Sequence, residues 1–158
     1  MKNPAGIGMN IMISEKYFKQ FLRDTLEPYG LNAVEGLVLH MMKMKNSENT
    51  ETRLYGNTQE EIVKEIHYDK GVIARTMKSL EDKELVVRNP HPSDSRCFLF
   101  VMTDKGEEIH ETVMNVLSDW NSALLDNLSS EETEAVSSLM EKVSQNAIKF
   151  YRSKTGKI

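Results

Sequence analysis

Positive charge is in deficit. Twenty Lys and Arg against 24 Asp and Glu leave a formal net charge of −4. That excludes a binder working through global basicity, but not one with a local basic patch. Cysteine is nearly missing: Cys97 is the single one. An internal disulfide is impossible, and a reducing, cytoplasmic setting is expected. No apolar run approaches the ~20 residues of a membrane-spanning helix. Residues Met1 to Ile13 lack the charged-then-apolar pattern of a secretory signal, so no membrane role is expected. The four histidines (His40, His67, His91, His110) have no metal-ligand spacing, and Cys97 has no CxxC partner. There is no glycine-rich phosphate loop, no Gly-x-Ser-x-Gly and no His-Glu-x-x-His, so no enzyme activity, metal or cofactor is expected.

What is present is an ordinary globular composition, 39% hydrophobic and 28% charged in 158 residues. That fits a single domain over 1–158, with or without dimerisation arms. The ten methionines read as flexible core filler or as the lining of an adaptable cavity.

Periodicity predicts a mainly α chain with a small β element. A first helix spans roughly Asn10 to Glu27, with Ile11, Phe18, Leu22 and Leu26 near helical spacing. Pro28-Tyr29-Gly30 stops it. Asn32 and Glu35 resemble a capping pair opening a second helix, Ala33 to about Lys45. Asn46 to Asn57 is polar and reads as a loop that allows a short strand over Arg53–Tyr55. Thr58 and Glu61 form a capping box for a helix over Gln59–Ile66, and Asp69 caps another from Lys70 to about Lys83. Two short helices joined at His67-Tyr68-Asp69 read as a helix-turn-helix. Leu85–Arg88 and Cys97–Met102 are β-prone. Between them Asn89–Arg96 carries Pro90, Pro92, Ser93 and Asp94, longer than a minimal turn and read as a protruding wing. Thr103 opens a helix to about Asp126. The capping box Ser129-x-x-Glu132 opens a last helix to about Tyr151, with Arg152–Ile158 read as a frayed tail. The first and last helices carry apolar stripes with nothing in a small module to cover them, so a two-fold homodimer is expected.

Two features carry chemistry. On the helix from Lys70, the stripe Ile73, Met77, Leu80 faces the core and Lys70, Gly71, Ala74, Arg75 and Lys78 lie opposite. Small residues at 71 and 74 permit close approach, and the cations suit phosphates or guanine edges. Alone, the pattern also fits a solvated basic face. The wing carries Asp94-Ser95-Arg96. An arginine at a wing tip suits the minor groove, and Asp94 is read as pairing with an arginine to hold the wing. Alone, that pattern also fits a surface salt bridge. Cys97 reads as a buried strand thiol.

Taken in order, Thr58-Gln59-Glu60-Glu61-Ile62, Asp69 to Arg75, Leu80 to Arg88, Asp94-Ser95-Arg96 and Met102-Thr103-Asp104-Lys105-Gly106 resemble the multiple antibiotic resistance regulator (MarR) family. The match runs without gaps from Thr58 to Gly106, and Tyr29-Gly30-Leu31 fits the same pattern. The resemblance implies a winged helix-turn-helix with N- and C-terminal dimerisation helices. The DNA-binding part would be 32–102 and the dimerisation part 10–28 with 103–151. It implies a homodimer on pseudo-palindromic double-stranded DNA, most simply a repressor. Lys70, Gly71, Ala74, Arg75 and Lys78 would face the major groove, Thr58 and Gln59 would touch phosphate, and Ser93, Ser95 and Arg96 would reach the minor groove. Arg88 matches a basic position at the wing base. A small aromatic or phenolic effector between arms and module is also implied, with Phe21, His40 and Met44 as the expected lining. The alternative is a winged-helix protein-interaction module without DNA binding, which the net charge favours and the basic patch disfavours. Glu84 departs from the family, standing where glycine usually ends the recognition helix. Either the helix ends differently or Glu84 is strained.

Overall fold

The computed structural model describes residues 5–48, 56–94 and 96–156. In order they form α1 (Ala5–Leu26), a 3-10 turn (Glu27–Tyr29), α2 (Ala33–Glu48), β1 (Asn57–Thr58), α3 (Gln59–Ile66), α4 (Lys70–Asp82), β2 (Val86–Pro90), β3 (Phe98–Met102), α5 (Asp104–Leu124) and α6 (Ser130–Thr155). The chain divides into two compact units, Met1–Ser118 and Asp119–Ile158. The fold is mainly α with a three-stranded antiparallel sheet ordered β1-β3-β2.

Local signals decide most helix starts. Asn32 Oδ1 accepts from the N–H of Val34 and of Glu35, while the Asn32 N–H donates to Glu35 Oε2. This is a reciprocal capping box with Asn as its cap. Thr58 with Glu61 and Ser129 with Glu132 close the same box at α3 and α6. Thr103 Oγ1 accepts from the Gly106 N–H at the start of α5. Asp69 stands at the N-cap of α4, but its side chain makes no cap bond. Its carbonyl instead accepts from the N–H groups of Val72 and Ile73.

Several boundaries differ from those expected. α1 begins at Ala5, not Asn10, and α2 runs to Glu48, into the segment read as loop. The strand allowed over Arg53–Tyr55 lies outside the described residues. A strand forms instead at Asn57–Thr58, drawn into the sheet by pairing with Phe100 and Leu99. β2 reaches Pro90 because a proline is tolerated at the end of an edge strand. α6 continues to Thr155, four residues past the expected end. Ser153 and Thr155 donate back to the Phe150 and Tyr151 carbonyls, and left-handed Gly156 closes the helix.

The core of the first unit gathers Leu22 and Leu26 of α1, Val38, Leu39 and Met42 of α2, Ile62 of α3, Ile73, Met77 and Leu80 of α4, and Val86, Phe100 and Met102 of the sheet. Each fully buried aliphatic side chain stabilises by about 1.5–3 kcal/mol. Glu35 sits inside this core at 0% exposure. It accepts from Lys83 Nζ at 2.6 and 2.7 Å and from Ser79 Oγ at 2.6 Å. Burial pushes this carboxyl up, but the bonds from Lys83, Ser79 and the Asn32 N–H outweigh it and hold it below the usual range. One carboxylate thus ties the start of α2 to the end of α4.

The end of α4 resolves the glycine question. The Glu84 N–H bonds the Glu81 carbonyl and the Leu85 N–H bonds the Leu80 carbonyl, both at 2.9 Å. Those two bonds define a Schellman cap. Glu84 occupies its left-handed position at φ 61°, a conformation that strains a residue with a Cβ.

Candidate nucleic-acid interface

α4 has two faces. Ile73, Thr76, Met77 and Leu80 are buried. Lys70, Gly71, Ala74, Arg75 and Lys78 are all exposed. The 3.6-residue period therefore puts every expected α4 contact on one solvent face.

The wing is held by its own backbone. Asp94 Oδ1 accepts from the Arg96 N–H at 2.9 Å, and Oδ2 accepts from the Cys97 thiol at 3.4 Å. The Cys97 N–H bonds the Asp94 carbonyl, and the His91 N–H bonds the Cys97 carbonyl. The Arg96 N–H, then the thiol, holds Asp94 below the ordinary carboxylate range. Asp94 thus clamps the turn through a main-chain N–H and a thiol, not a guanidinium. Cys97 is partly exposed and lies just before β3, not buried in a strand. Hairpin closure keeps it in the loop. Donation to Asp94 pushes its pKa up, which disfavours the reactive thiolate. Ser93 and Arg96 are exposed. Ser95 lies outside the described residues.

A groove of about 500 Å³ separates α4 from the wing. Thr58, Gln59, Lys70, Ala74, Lys78, Arg88 and Arg96 all line it. Gln59 Nε2 donates to the Lys70 carbonyl at 3.5 Å, joining the starts of α3 and α4. Not every cation is free to act. Lys78 is bound by Asp82 one turn on, at 2.7 Å, which raises its pKa. Lys70, Arg75, Arg88 and Arg96 have no carboxylate partner among the described residues. Sequence reasoning missed Asp82, although Lys78 and Asp82 stand at i, i+4 spacing. It also missed Phe98, whose ring lies under the Arg88 guanidinium, Cζ to centroid 3.4 Å.

Phe21, His40 and Met44 do not line the large cavity of the first unit. A cavity of about 1140 Å³ lies among α1, α2 and α4, lined by Phe18, Leu22, Val34, Leu37, Tyr68, Val72 and Arg75, with Lys16, Lys19 and Arg23. Met44 is exposed and Phe21 is half-buried. His40 stacks on His110 of α5, centroids 5.9 Å apart and planes 7° from parallel. His40 Nδ1 and His110 Nε2 are buried without a hydrogen-bond partner among the described residues. Burial pushes both imidazoles below their ordinary pKa. For His110, His40 and Lys43 add to the lowering, while Glu107 and Glu111 oppose it.

A helix-turn-helix followed by a β wing, with exposed cations on both, defines a winged helix-turn-helix fold. The sequence model of the MarR family matches residues 54–98. It is 28% identical over 118 residues to the HTH-type transcriptional regulator BilQ of Clostridioides difficile, covering 75% of this chain and 74% of that protein. A MarR transcriptional regulator from Methanosarcina mazei Go1 shares the fold, with TM-score 0.77 and 23% identity over 92% of this chain and 99% of that one. A mutant MarR from E. coli, solved in complex with operator DNA, superposes with TM-score 0.72 and 25% identity over 87% of this chain and 93% of that one. No helix among the described residues is long and apolar enough to cross a membrane.

Proposed function

We propose that the protein is a cytoplasmic, homodimeric repressor that binds a pseudo-palindromic operator and is released by a small aromatic or phenolic effector. One observation carries the DNA reading. Lys70, Arg75, Arg88 and Arg96 stand exposed across α4 and the wing, with no carboxylate neutralising them among the described residues. Residues 32–102 do the reading. α4 presents Lys70, Gly71, Ala74, Arg75 and Lys78 to the major groove, Thr58 and Gln59 meet phosphate, and the wing takes Arg96 with Ser93 and Ser95 to the minor groove.

Residues 10–28 and 103–151 serve dimerisation. Ile11, Met12 and Ile13 of α1 are exposed, as are Leu139, Met140 and Phe150 of α6. A second copy covers them, giving a particle of about 36 kDa, twice 18.1 kDa. The two α4 helices then enter successive major grooves about 34–36 Å apart.

The effector reading rests on the 1140 Å³ cavity, where an apolar lining meets Lys16, Lys19, Arg23 and Arg75. Arg75 borders the cavity and belongs to the exposed face of α4. An aromatic anion that prefers the conformer holding Arg75 inward depletes the DNA-binding population.

Fluorescence anisotropy on duplex DNA from upstream of its own gene, with a scrambled duplex and a salt titration, tests this. Selective binding with a steep negative salt slope is expected, weakened in Arg75→Ala and Arg96→Ala and by small aromatic carboxylates. Unchanged binding by both variants overturns the contact assignment. Weak, equal binding to both duplexes by the wild type points instead to a protein-interaction module.

A further inference from the structure

We propose that Phe98 is a positioning residue for DNA-backbone binding, its ring holding the Arg88 guanidinium ready for a phosphate in the groove between α4 and the wing. The proposal rests on the DNA reading above and adds to it a residue outside the helix-turn-helix.

The placement comes from strand register. Val86, Arg88 and Pro90 of β2 lie opposite Met102, Phe100 and Phe98 of β3. Residues two apart share a face of a strand, so all six share one face. At its inner end Val86, Met102 and Phe100 are buried in the core. Toward the wing that face opens into the groove, and there Arg88 lies diagonally across from Phe98. Both line the groove beside Lys70, Lys78 and Arg96.

The contact is unlike that of other cations nearby. Lys83, Lys105 and Lys78 are bound by Glu35, Glu84 and Asp82. Glu60 and Glu81 also line the groove, yet neither pairs with Arg88. At 3.4 Å from Cζ to centroid the guanidinium carbon is in van der Waals contact with the ring, which leaves no room for an N–H between them. A cation seated that close to a ring turns one side to it and leaves N–H groups at its edge for an anion. Phe98 is itself 37% exposed. A large aromatic at a half-open position adds little to the core but restricts a flexible side chain that would otherwise be ordered only on binding.

Position selects the ligand. α4 stands on one side of the groove and the wing tip on the other. The strand of duplex DNA between a major-groove reader and a minor-groove reader is the sugar–phosphate backbone. A pre-ordered guanidinium between them meets a phosphate and can bind it through two N–H groups. The contact is blind to sequence.

Anisotropy titrations with salt, on upstream and scrambled duplexes, test this in wild type, Phe98→Ala, Phe98→Tyr, Arg88→Ala and the Phe98→Ala/Arg88→Ala double variant. Phe98→Ala is expected to weaken both duplexes equally, by roughly two- to fivefold. Phe98→Tyr keeps wild-type affinity. Arg88→Ala makes the salt slope shallower by about one for each phosphate that Arg88 neutralises. In its background Phe98→Ala adds no further weakening. Wild-type affinity in Phe98→Ala overturns the proposal, as does a weakening that persists in the Arg88→Ala background or is confined to one duplex. If the wild type binds neither duplex, the DNA reading fails and the proposal fails with it.

Discussion

Helices α4 and α6 carry similar apolar content and use it in opposite ways. α4 has 13 residues and buries four: Ile73, Thr76, Met77 and Leu80. α6 has 26 residues and buries none, although Leu139 is 58% exposed and Phe150 65%. α4 is held by tertiary packing. α6 is held by its length, its capping box and its glycine stop. Propensity and caps suffice to make a helix, but an apolar stripe becomes a core only where a partner surface meets it. The first unit supplies that surface for α4. For α6 the proposed supplier is a second copy.

The sharpest way to break this contrast is at Gly106. A Cβ there would stand 2.1 Å from the Leu85 carbonyl oxygen, which also accepts the Thr103 N–H. Gly106→Ala is expected to cost on the order of 3 kcal/mol or more in urea unfolding. Ser137→Ala, on exposed α6, should change it by less than ~0.5 kcal/mol. Similar costs at both positions would erase the distinction between a packed module and an unpacked helix.

Acid should loosen the first unit through the His40–His110 stack. Both imidazoles have folded pKa values below the ordinary 6.5, so the unfolded chain takes up protons first as pH falls. Stability is then full above pH 6.5 and is lost as pH falls below it, by up to about 1.4 kcal/mol per pH unit for each proton. Urea midpoints measured across that window read the effect. His110→Phe should flatten the slope, and a flat wild-type profile would refute it.

On the other side of the comparison, the proposed dimer predicts that Leu139→Glu raises a monomer–dimer Kd at least tenfold, about 1.4 kcal/mol. Sedimentation equilibrium would show it. An unchanged Kd would remove α6 from the proposed dimer contact, and a monomeric wild type would refute the dimer.

A modest effect of opposite sign is expected at Glu84. Glu84→Gly removes left-handed strain at φ 61° and gives up only an exposed ion pair with Lys105 at 3.5 Å. A stabilisation of about 0.5–1 kcal/mol should appear in the urea midpoint. Destabilisation would mean that the Lys105 contact outweighs backbone strain.

Much of this was legible along the chain. Asn32/Glu35, Thr58/Glu61 and Ser129/Glu132 announce helix starts because a capping box spans only three residues. The exposed face of α4 was legible because helical period alone sorts Ile73 and Met77 from Lys70 and Arg75. The wing was legible in the length and proline content of its loop. The expected lining residues Phe21, His40 and Met44 were read from a resemblance, and the structure places His40 on His110, away from the cavity. Nothing local to His40 signals that stack, since its partner lies on another helix far along the chain.

Helix order, caps, the basic face and the wing thus follow from residues within about one turn or one hairpin of each other, where periodicity and short-range hydrogen bonds act. Four further pairings arose only on packing: Glu35 with Lys83, Gly106 against Leu85, Arg88 over Phe98, and His40 on His110. In each the partner stands on a different element. Its distance is set by how helices and strands pack, and no local spacing encodes it.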